Sequence, residues 1–459
     1  MKKIFLYIVS GLTLAALSSC EKFVDVPAPE NQLISDVTFQ SATSADAAVA
    51  GLYSIMNSYN YQFANFIGNG MPAFSADEFH YALSSSGFNE FKDNNLSPGN
   101  SYVRTMWTPV YNCVYHANAI LEGLDKSTTI SDAVKKQLAG EARFLRAFYY
   151  FYLVNYFGDV PLILSTDYKA NTVMPRTPAA DVYNAIVADL KQAQTDLGDD
   201  YPTTERIRAN KAAATALLAR TFLYRQQWSE AETEATKVIN DSRYELLTDL
   251  DKIFLKNSNE TILQLQSVNK STAGVNTWEG FNIVPFSPTG RAYYHVYDSF
   301  LNAFETGDQR KNSWIKSYTN ASGTFFYPYK YKVRTAAPVQ EYSMVLRLAE
   351  QYLIRAEARA QQNNLAGAAA DLNAIRQRAG LEPLPDNLDK AAMLLAVEQE
   401  RRIELFAEWG HRWFDLRRTG RSLAVLSPIK PDLTATDLWY PIPLSAINTN
   451  PFLTQNEGY

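Results

Sequence analysis

Ala219-Arg-Thr-Phe-Leu-Tyr-Arg-Gln-Gln-Trp228-Ser-Glu-Ala231 reads as the end of one helix, a turn with a large apolar residue, and the start of a second helix. Ala356-Glu-Ala-Arg-Ala-Gln-Gln-Asn-Asn-Leu365-Ala-Gly-Ala368 repeats the spacing: Ala219 matches Ala356, Trp228 matches Leu365 and Ala231 matches Ala368. Small residues where two helices cross, with a bulky one at the turn, mark tetratricopeptide-type helix pairs. One pair cannot bury its apolar face alone, so neighbouring pairs stack into a continuous core. The spacing therefore predicts a mainly α fold, a superhelix of tetratricopeptide-like helix pairs.

Working outward, further helices are expected over residues 42–59, 103–124, 132–157, 178–197, 211–227 and 229–239. The stretch from Glu141 to Val154 is apolar on nearly every side, the pattern of a buried helix, and Gly158 and Pro161 end it. Two segments break the pattern. Residues 60–100 are rich in Gly, Ser, Asn and aromatics, and residues 241–342 form a long insert with little helical periodicity. Loops of that length inside a compact protein are functional or disordered, and disordered segments are depleted in aromatics. This insert is full of them, so it is expected to be an ordered, loop-rich face on the helices.

The N-terminus is a processing signal. Lys2 and Lys3 precede an apolar run from Ile4 to Leu17, which ends in Leu17-Ser18-Ser19-Cys20. Such a run is too short and wrongly flanked to span a membrane. The junction reads as a lipobox, with 1–19 removed, Cys20 acylated, 20–41 a polar tether and 42–459 the body. Each buried methylene of an acyl chain contributes about 0.8 kcal/mol, so several chains on one residue anchor firmly. Only Cys20 and Cys113 are present, which leaves one thiol and no internal disulfide once Cys20 is acylated. The net charge is −5 and no basic stripe appears, so nucleic acid is a poor partner.

Signatures of catalysis are sparse. The four histidines form no metal-spaced pair, and no nucleophile elbow, Walker loop or dinucleotide fingerprint occurs. No catalytic residue, metal or cofactor is assigned. Asp77, Glu78 and His80 could offer ligands on one loop, but such a cluster more often orders its own loop. Glu400, Glu404 and Glu408 recur every fourth residue beside Arg401, Arg402 and Arg412. A glycosidase needs two carboxylates facing each other across a bond, so three on one helix face suggest an ion-pair ladder instead. Arg291 and Asp308-Gln309-Arg310 read as ion pairs within the insert. The insert's aromatics, Trp278, Phe281, Tyr293, Tyr294, Tyr297 and Trp314 among them, are different in kind. Rings with polar edges suit a sugar, which has apolar faces and a hydroxyl rim. Each ring alone also has a reading as core; the set reads as a ligand face.

Several motifs, in order, resemble the SusD/RagB family of outer-membrane nutrient-binding lipoproteins of the Bacteroidetes. They are Cys20-Glu-Lys-Phe-Val-Asp, Gly140-Glu-Ala-Arg-Phe-Leu-Arg-Ala with Tyr156-Phe-Gly-Asp-Val-Pro161, and Gly307-Asp-Gln-Arg310. Leu346 to Ala358, Leu372 to Leu381, Glu400-Arg-Arg-Ile-Glu404-Leu, and Gly410-His-Arg-Trp-Phe-Asp-Leu-Arg417 follow. Tyr440-Pro-Ile-Pro443, Asn450-Pro451 and Gln455-Asn-Glu-Gly-Tyr459 close the series. The resemblance implies a right-handed superhelix supporting an irregular ligand-binding half. It also implies capture of an oligosaccharide at the outer face of the outer membrane and its delivery to a SusC-like TonB-dependent transporter. By region and residue type, the ligand contacts it implies are Asp77, Phe91, Trp278, Tyr293 and Trp314. A protein-binding adaptor and a binder of non-carbohydrate cargo such as peptide stay open beside this reading, and a glycoside hydrolase is the least favoured.

Overall fold

The computed structural model describes residues 38–58, 62–268, 273–287, 290–335 and 337–459. The signal, Cys20 and the tether up to residue 37 lie outside the described residues. The major helices are α1 (Ala42–Ile55), α2 (Gly68–Ser75), α3 (Ser101–Lys126), α4 (Asp132–Phe157), α5 (Ala179–Asp196) and α6 (Lys211–Tyr224). They continue as α7 (Trp228–Ile239), α8 (Leu348–Gln361), α9 (Leu365–Arg378), α10 (Lys390–Glu404) and α11 (His411–Arg418). From α3 to α9 each helix packs on the next, and α10 packs on α8 and α9. The fold is a stack of tetratricopeptide-like helix pairs.

Burial follows the small-residue pattern: Ala219, Ala231, Ala356 and Ala368 are all sealed from solvent where helices cross. The two turns match in backbone detail. Gln226 and Asn363 hold left-handed φ of 58° and 64°. Gln227 N–H then donates to Phe222 O at 2.9 Å, and Asn364 N–H donates to Arg359 O at 2.8 Å. Left-handed residues of this kind satisfy carbonyls orphaned at a helix end. Helix α4 is buried around its whole circumference from Ala147 onward, and Gly158 (φ 74°) ends it. Among the described residues no helix is long and apolar enough to cross a membrane.

The region from 60 to 100, read above as irregular, holds α2, a π-helical turn at Phe63–Ile67 and a short helix at Ser86–Lys92. Every residue of α2 is buried, so it has no polar face from which a helical period could be read.

The insert leaves the stack after α7 and returns at α8, and those two helices pack directly on each other. Its root is the antiparallel pair β2 (Thr261–Leu265) with β6 (Ser343–Arg347), wholly buried. Its outer part carries β3 (Tyr294–Val296), paired with β1 (Phe79–Tyr81), and the hairpin β4 (Ile315–Asn320) with β5 (Gly323–Pro328).

A buried charge network joins insert to stack. Arg347, at the junction of β6 and α8, donates to Glu404 at 2.6 Å, Glu408 at 2.8 Å and Glu260 at 3.0 Å. Arg310 reaches Asp308 at 2.8 Å, Glu400 at 2.5 Å and Glu404 at 3.0 Å. Arg378 pairs with Glu260 at 2.8 Å and with Glu404, and Lys330 pairs with Glu408 at 2.6 Å. The carboxylates expected to form a ladder do form ion pairs, but with different partners and not along one helix. The helix α10 stops at Glu404, and Glu408 sits in a turn where Ala407 and Trp409 have φ of 57° and 46°. Arg401 instead pairs with Asp415, and Arg402 and Arg412 pair with Asp77. Asp308 and Arg310 pair as expected, whereas Arg291 lies over the Tyr293 ring at 5.7 Å.

Burial acts to raise the Glu404 carboxyl, but the guanidiniums of Arg378, Arg347 and Arg310 hold it well below the usual carboxylate range. Removing one partner from such a network strands the others in a medium that solvates them poorly. Glu404→Gln is expected to lower unfolding free energy by about 3–5 kcal/mol in urea titrations. The exposed control Glu382→Gln should stay within about 0.5 kcal/mol. Equal behaviour of the two variants would show that the network is not holding the insert.

Candidate functional site

The helix Trp278–Ile283 starts where the Thr277 hydroxyl accepts from Gly280 N–H at 2.9 Å, and it carries Trp278 and Phe281. A side chain at Gly280 would meet Val333 O at 2.6 Å, so only glycine lets the segment bearing Arg334 lie this close. Arg334 stacks 4.5 Å from the Phe281 ring and donates through Nη1 to Val284 O at 2.8 Å and to Phe281 O. A cation at a helix C-terminus is favoured by the helix dipole. Pairing of β1 with β3 puts Tyr81 opposite Tyr294 and His80 opposite His295. Phe79, Tyr294 and Val296 face the core, and Tyr293 lies beside Tyr81, ring centroids 6.3 Å apart.

Together these pieces enclose a half-open cavity of about 210 Å³, lined by Tyr81, Phe281, Phe286, Arg291, Tyr293 and Arg334 among others. Phe286 is 88% exposed and Tyr293 42% exposed, so two flat rings stand at its rim. Larger cavities lie on the helices, of about 560, 500, 400 and 300 Å³. In the first, Arg401 already pairs with Asp415 at 2.7 Å and Arg418 with Glu357 at 2.5 Å. The second is walled mainly by Ser127, Thr128, Thr129 and Lys126 with Tyr115. None of these sets two exposed rings beside arginines that lack a carboxylate partner, so chemistry and not size selects the insert cavity.

Of the five residues singled out as ligand contacts, only Tyr293 lines this cavity from the surface. Trp278 is buried, edge to face with Phe281 at 5.6 Å, and its indole N–H has no partner among the described residues. It lies flat on Gly274, whose added Cβ would come 2.6 Å from the ring. Trp278 thus backs the cavity wall from behind. The other three are enclosed by protein. Asp77 accepts from Arg412 and Arg402, each at 2.7 Å, and these guanidiniums hold its carboxyl low against the opposing effect of burial. Phe91 is fully buried against Tyr440, ring centroids 5.3 Å apart. Trp314 is fully buried, donates its indole N–H to Leu250 O at 3.2 Å and carries the Lys330 ammonium 4.5 Å above its ring.

Asp77, Glu78 and His80 do not converge. Glu78 is buried and accepts from Ala407 N–H at 3.2 Å, while His80 stacks toward Tyr297 at 4.8 Å. The rim residues that sequence reasoning passed over are Phe286, Arg334 and Tyr81. Phe286 had a signal: it stands between Pro285 and Pro288, a context that keeps it out of any strand ladder. Arg334 had none, because its partner Phe281 is distant in sequence.

A stack of tetratricopeptide-like helix pairs with a ring-rimmed cavity on its long insert defines a helical-repeat protein with a candidate ligand pocket. A family described as "Starch-binding associating with outer membrane" matches residues 22–223, and the SusD family matches residues 301–436. A SusD-like protein of Formosa agariphila is 26% identical, covering 96% of this chain and 97% of its own. A solved laminarin-binding SusD-like protein is 25% identical, covers 91% of this chain and 99% of its own, and superposes with a TM-score of 0.79. A solved SusD superfamily protein of Parabacteroides distasonis is 26% identical over 93% of this chain and all of its own, with a TM-score of 0.78. The chain belongs to the SusD/RagB family.

Burial pushes the Glu78 carboxyl up to about 8, helped by the Asp77 charge and opposed by the Ala407 amide. An unfolded chain gives up this proton above its ordinary value of 4.5, but the folded chain only above about 8. The contribution to stability is therefore full at low pH and is lost as pH rises through that window. Glu78→Gln, which keeps an acceptor for Ala407, should match the parent at pH 4. At pH 9 it should be more stable by roughly 2–4 kcal/mol in chemical denaturation. A variant no more stable than the parent at pH 9 would refute this account.

Proposed function

We propose that this protein is a cell-surface glycan-binding lipoprotein. It is anchored in the outer membrane through Cys20, captures oligosaccharide in the insert cavity and passes it to a SusC-like TonB-dependent transporter. The observation that carries the reading is the cavity itself: Tyr293 and Phe286 present flat faces to solvent in a chain of this family. A sugar stacks its apolar C–H face on such rings and keeps its hydroxyls in water or on polar rim groups.

Binding without cleavage is the matching chemical role. A glycosidase needs an acid and a second carboxylate flanking the bond. Here Glu400, Glu404 and Glu408 are taken up by the buried network, and the raised carboxyl of Glu78 is shut away from solvent. In this reading Tyr293 contacts the sugar and Trp278 holds Phe281 in place. Asp77, Phe91 and Trp314 act through the scaffold.

Titration calorimetry of the mature protein against laminarin, starch, plant, fungal and host oligosaccharides tests the proposal. A member of the panel should bind, with no new reducing ends released. Tyr293→Ala should weaken that binding about tenfold or more, a stacked ring contributing roughly 1–2 kcal/mol, and leave the melting temperature unchanged. Full affinity in Tyr293→Ala would remove the cavity from the account. The anchor has its own test: Cys20→Ala should move the protein from the membrane fraction to the soluble one, and retention on the membrane would refute lipidation there.

A further inference from the structure

We infer that the glycan taken by this cavity is acidic, bearing a carboxylate or a sulfate that meets Arg291 at the rim. This inference rests on the glycan reading above and narrows its ligand class.

Elsewhere in the fold buried guanidiniums are matched by carboxylates: Arg220 by Glu350 at 2.6 Å, Arg310 and Arg347 by the Glu404 network, Arg412 by Asp77. Half-buried Arg176, Arg206 and Arg417 also bond to carbonyls or an amide oxygen and to no carboxylate, so what is particular to the cavity is that two cations without a carboxylate share it. Two arginines line it, Arg291 and Arg334, and among the described residues no Asp or Glu does. Arg291 is exposed, and the contact it makes is with the Tyr293 ring at 5.7 Å. Arg334 is half-buried; its Nη1 bonds go to two neutral carbonyls, its Nε has no partner among the described residues, and its ring contact is Phe281.

Two cations without counter-charge in one small concavity, on a chain of net charge −5, repel each other and gain from an incoming anion. Their roles differ. Arg291 is free to swing, and its planar fork fits the two oxygens of a carboxylate or sulfate. The Arg334 guanidinium is fixed against Phe281 and sealed at Nε, so it acts on the ligand through its field and positions the wall. Tyr293 and Phe286 supply the face on which the sugar ring lies. The site thus combines stacking for the ring with charge for its substituent, and a neutral glycan would use only the first.

Calorimetry on the full mature protein decides the matter with matched probes: polygalacturonate oligosaccharides, their fully methyl-esterified forms, alginate oligosaccharides, chondroitin sulfate, and neutral laminarin and starch oligosaccharides. At least one acidic probe should bind about tenfold or more tightly than the neutral ones, and preference for uronate or for sulfate ester identifies the anion. Affinity should fall several-fold as salt rises from about 0.05 to about 0.5 M. Arg291→Gln should erase the preference without altering the melting temperature, and Arg291→Glu should reverse it. Arg334→Lys should keep most of it. Two results overturn the inference alone: neutral probes binding through Tyr293 as well as acidic ones do, or acidic binding untouched in Arg291→Gln. Binding of no oligosaccharide of either kind overturns the glycan reading together with it.

Discussion

The structure depends on Glu404. Its carboxylate, at the last residue of α10, receives three guanidiniums: Arg310 from the insert, Arg347 from the β6–α8 junction and Arg378 from the end of α9. Two of its neighbours also hold the helix end itself, because Arg347 Nη2 and Lys330 Nζ both donate to Glu404 O at 2.7 Å. An acid at a helix C-terminus opposes the helix dipole, and an isolated buried carboxylate would be expelled. Here the surrounding cations reverse both effects. A network of this kind contributes less to net stability than to uniqueness, since each charge is tolerated in only one arrangement. What it fixes is where a hundred-residue insert sits on the helices.

That constraint explains why the insert can be loop-rich and still ordered. Its root is clamped twice, by the β2–β6 ladder and by Arg310 and Lys330 reaching into the stack. The strand pair at the cavity is short, three residues each in the insert's β3 and in its partner β1, and carries little cooperativity of its own. Both strands are held by packing: Phe74 and Phe79 sit edge to face at 5.5 Å, and Phe66 meets Tyr294 at 5.1 Å. The cavity walls are thus built on a densely packed base.

The same physics decides what could be read in advance. Helix pairs were legible because crossing points demand small residues at fixed spacing, and Ala219, Ala231, Ala356 and Ala368 supply them. The glycine and proline after Phe157 stop α4 where local chemistry says they must. The site was less legible. Trp314 ends a six-residue helix and Tyr293 precedes a three-residue strand, segments too short to show a period, so Trp314 in the core and Tyr293 at the rim look alike in sequence. Charges misled for a related reason. Arg401, Arg402 and Arg412 are near Glu400, Glu404 and Glu408 in sequence, but partners in a low-dielectric core are chosen by three-dimensional proximity. The partners of these three carboxylates lie 24 to 94 residues away along the chain.

The cavity's dimensions bear on how a ligand would be held. At about 210 Å³ it falls below the range of roughly 300–1,000 Å³ typical of pockets that engulf a small molecule. One sugar unit, or one edge of it, fits inside; the rest of a chain must lie across Phe286 and Tyr293 in contact with water. A ligand efficiency of about 0.3 kcal/mol per heavy atom gives a single sugar unit only some 3 kcal/mol. Holding of that strength is weak at one site and becomes effective through repetition along a polymer. It would also leave the ligand easy to surrender, because among the described residues no lid covers the cavity and few buried contacts would have to break. An open, shallow site suits the capture and release proposed above, and a deep enclosed one would work against the second step.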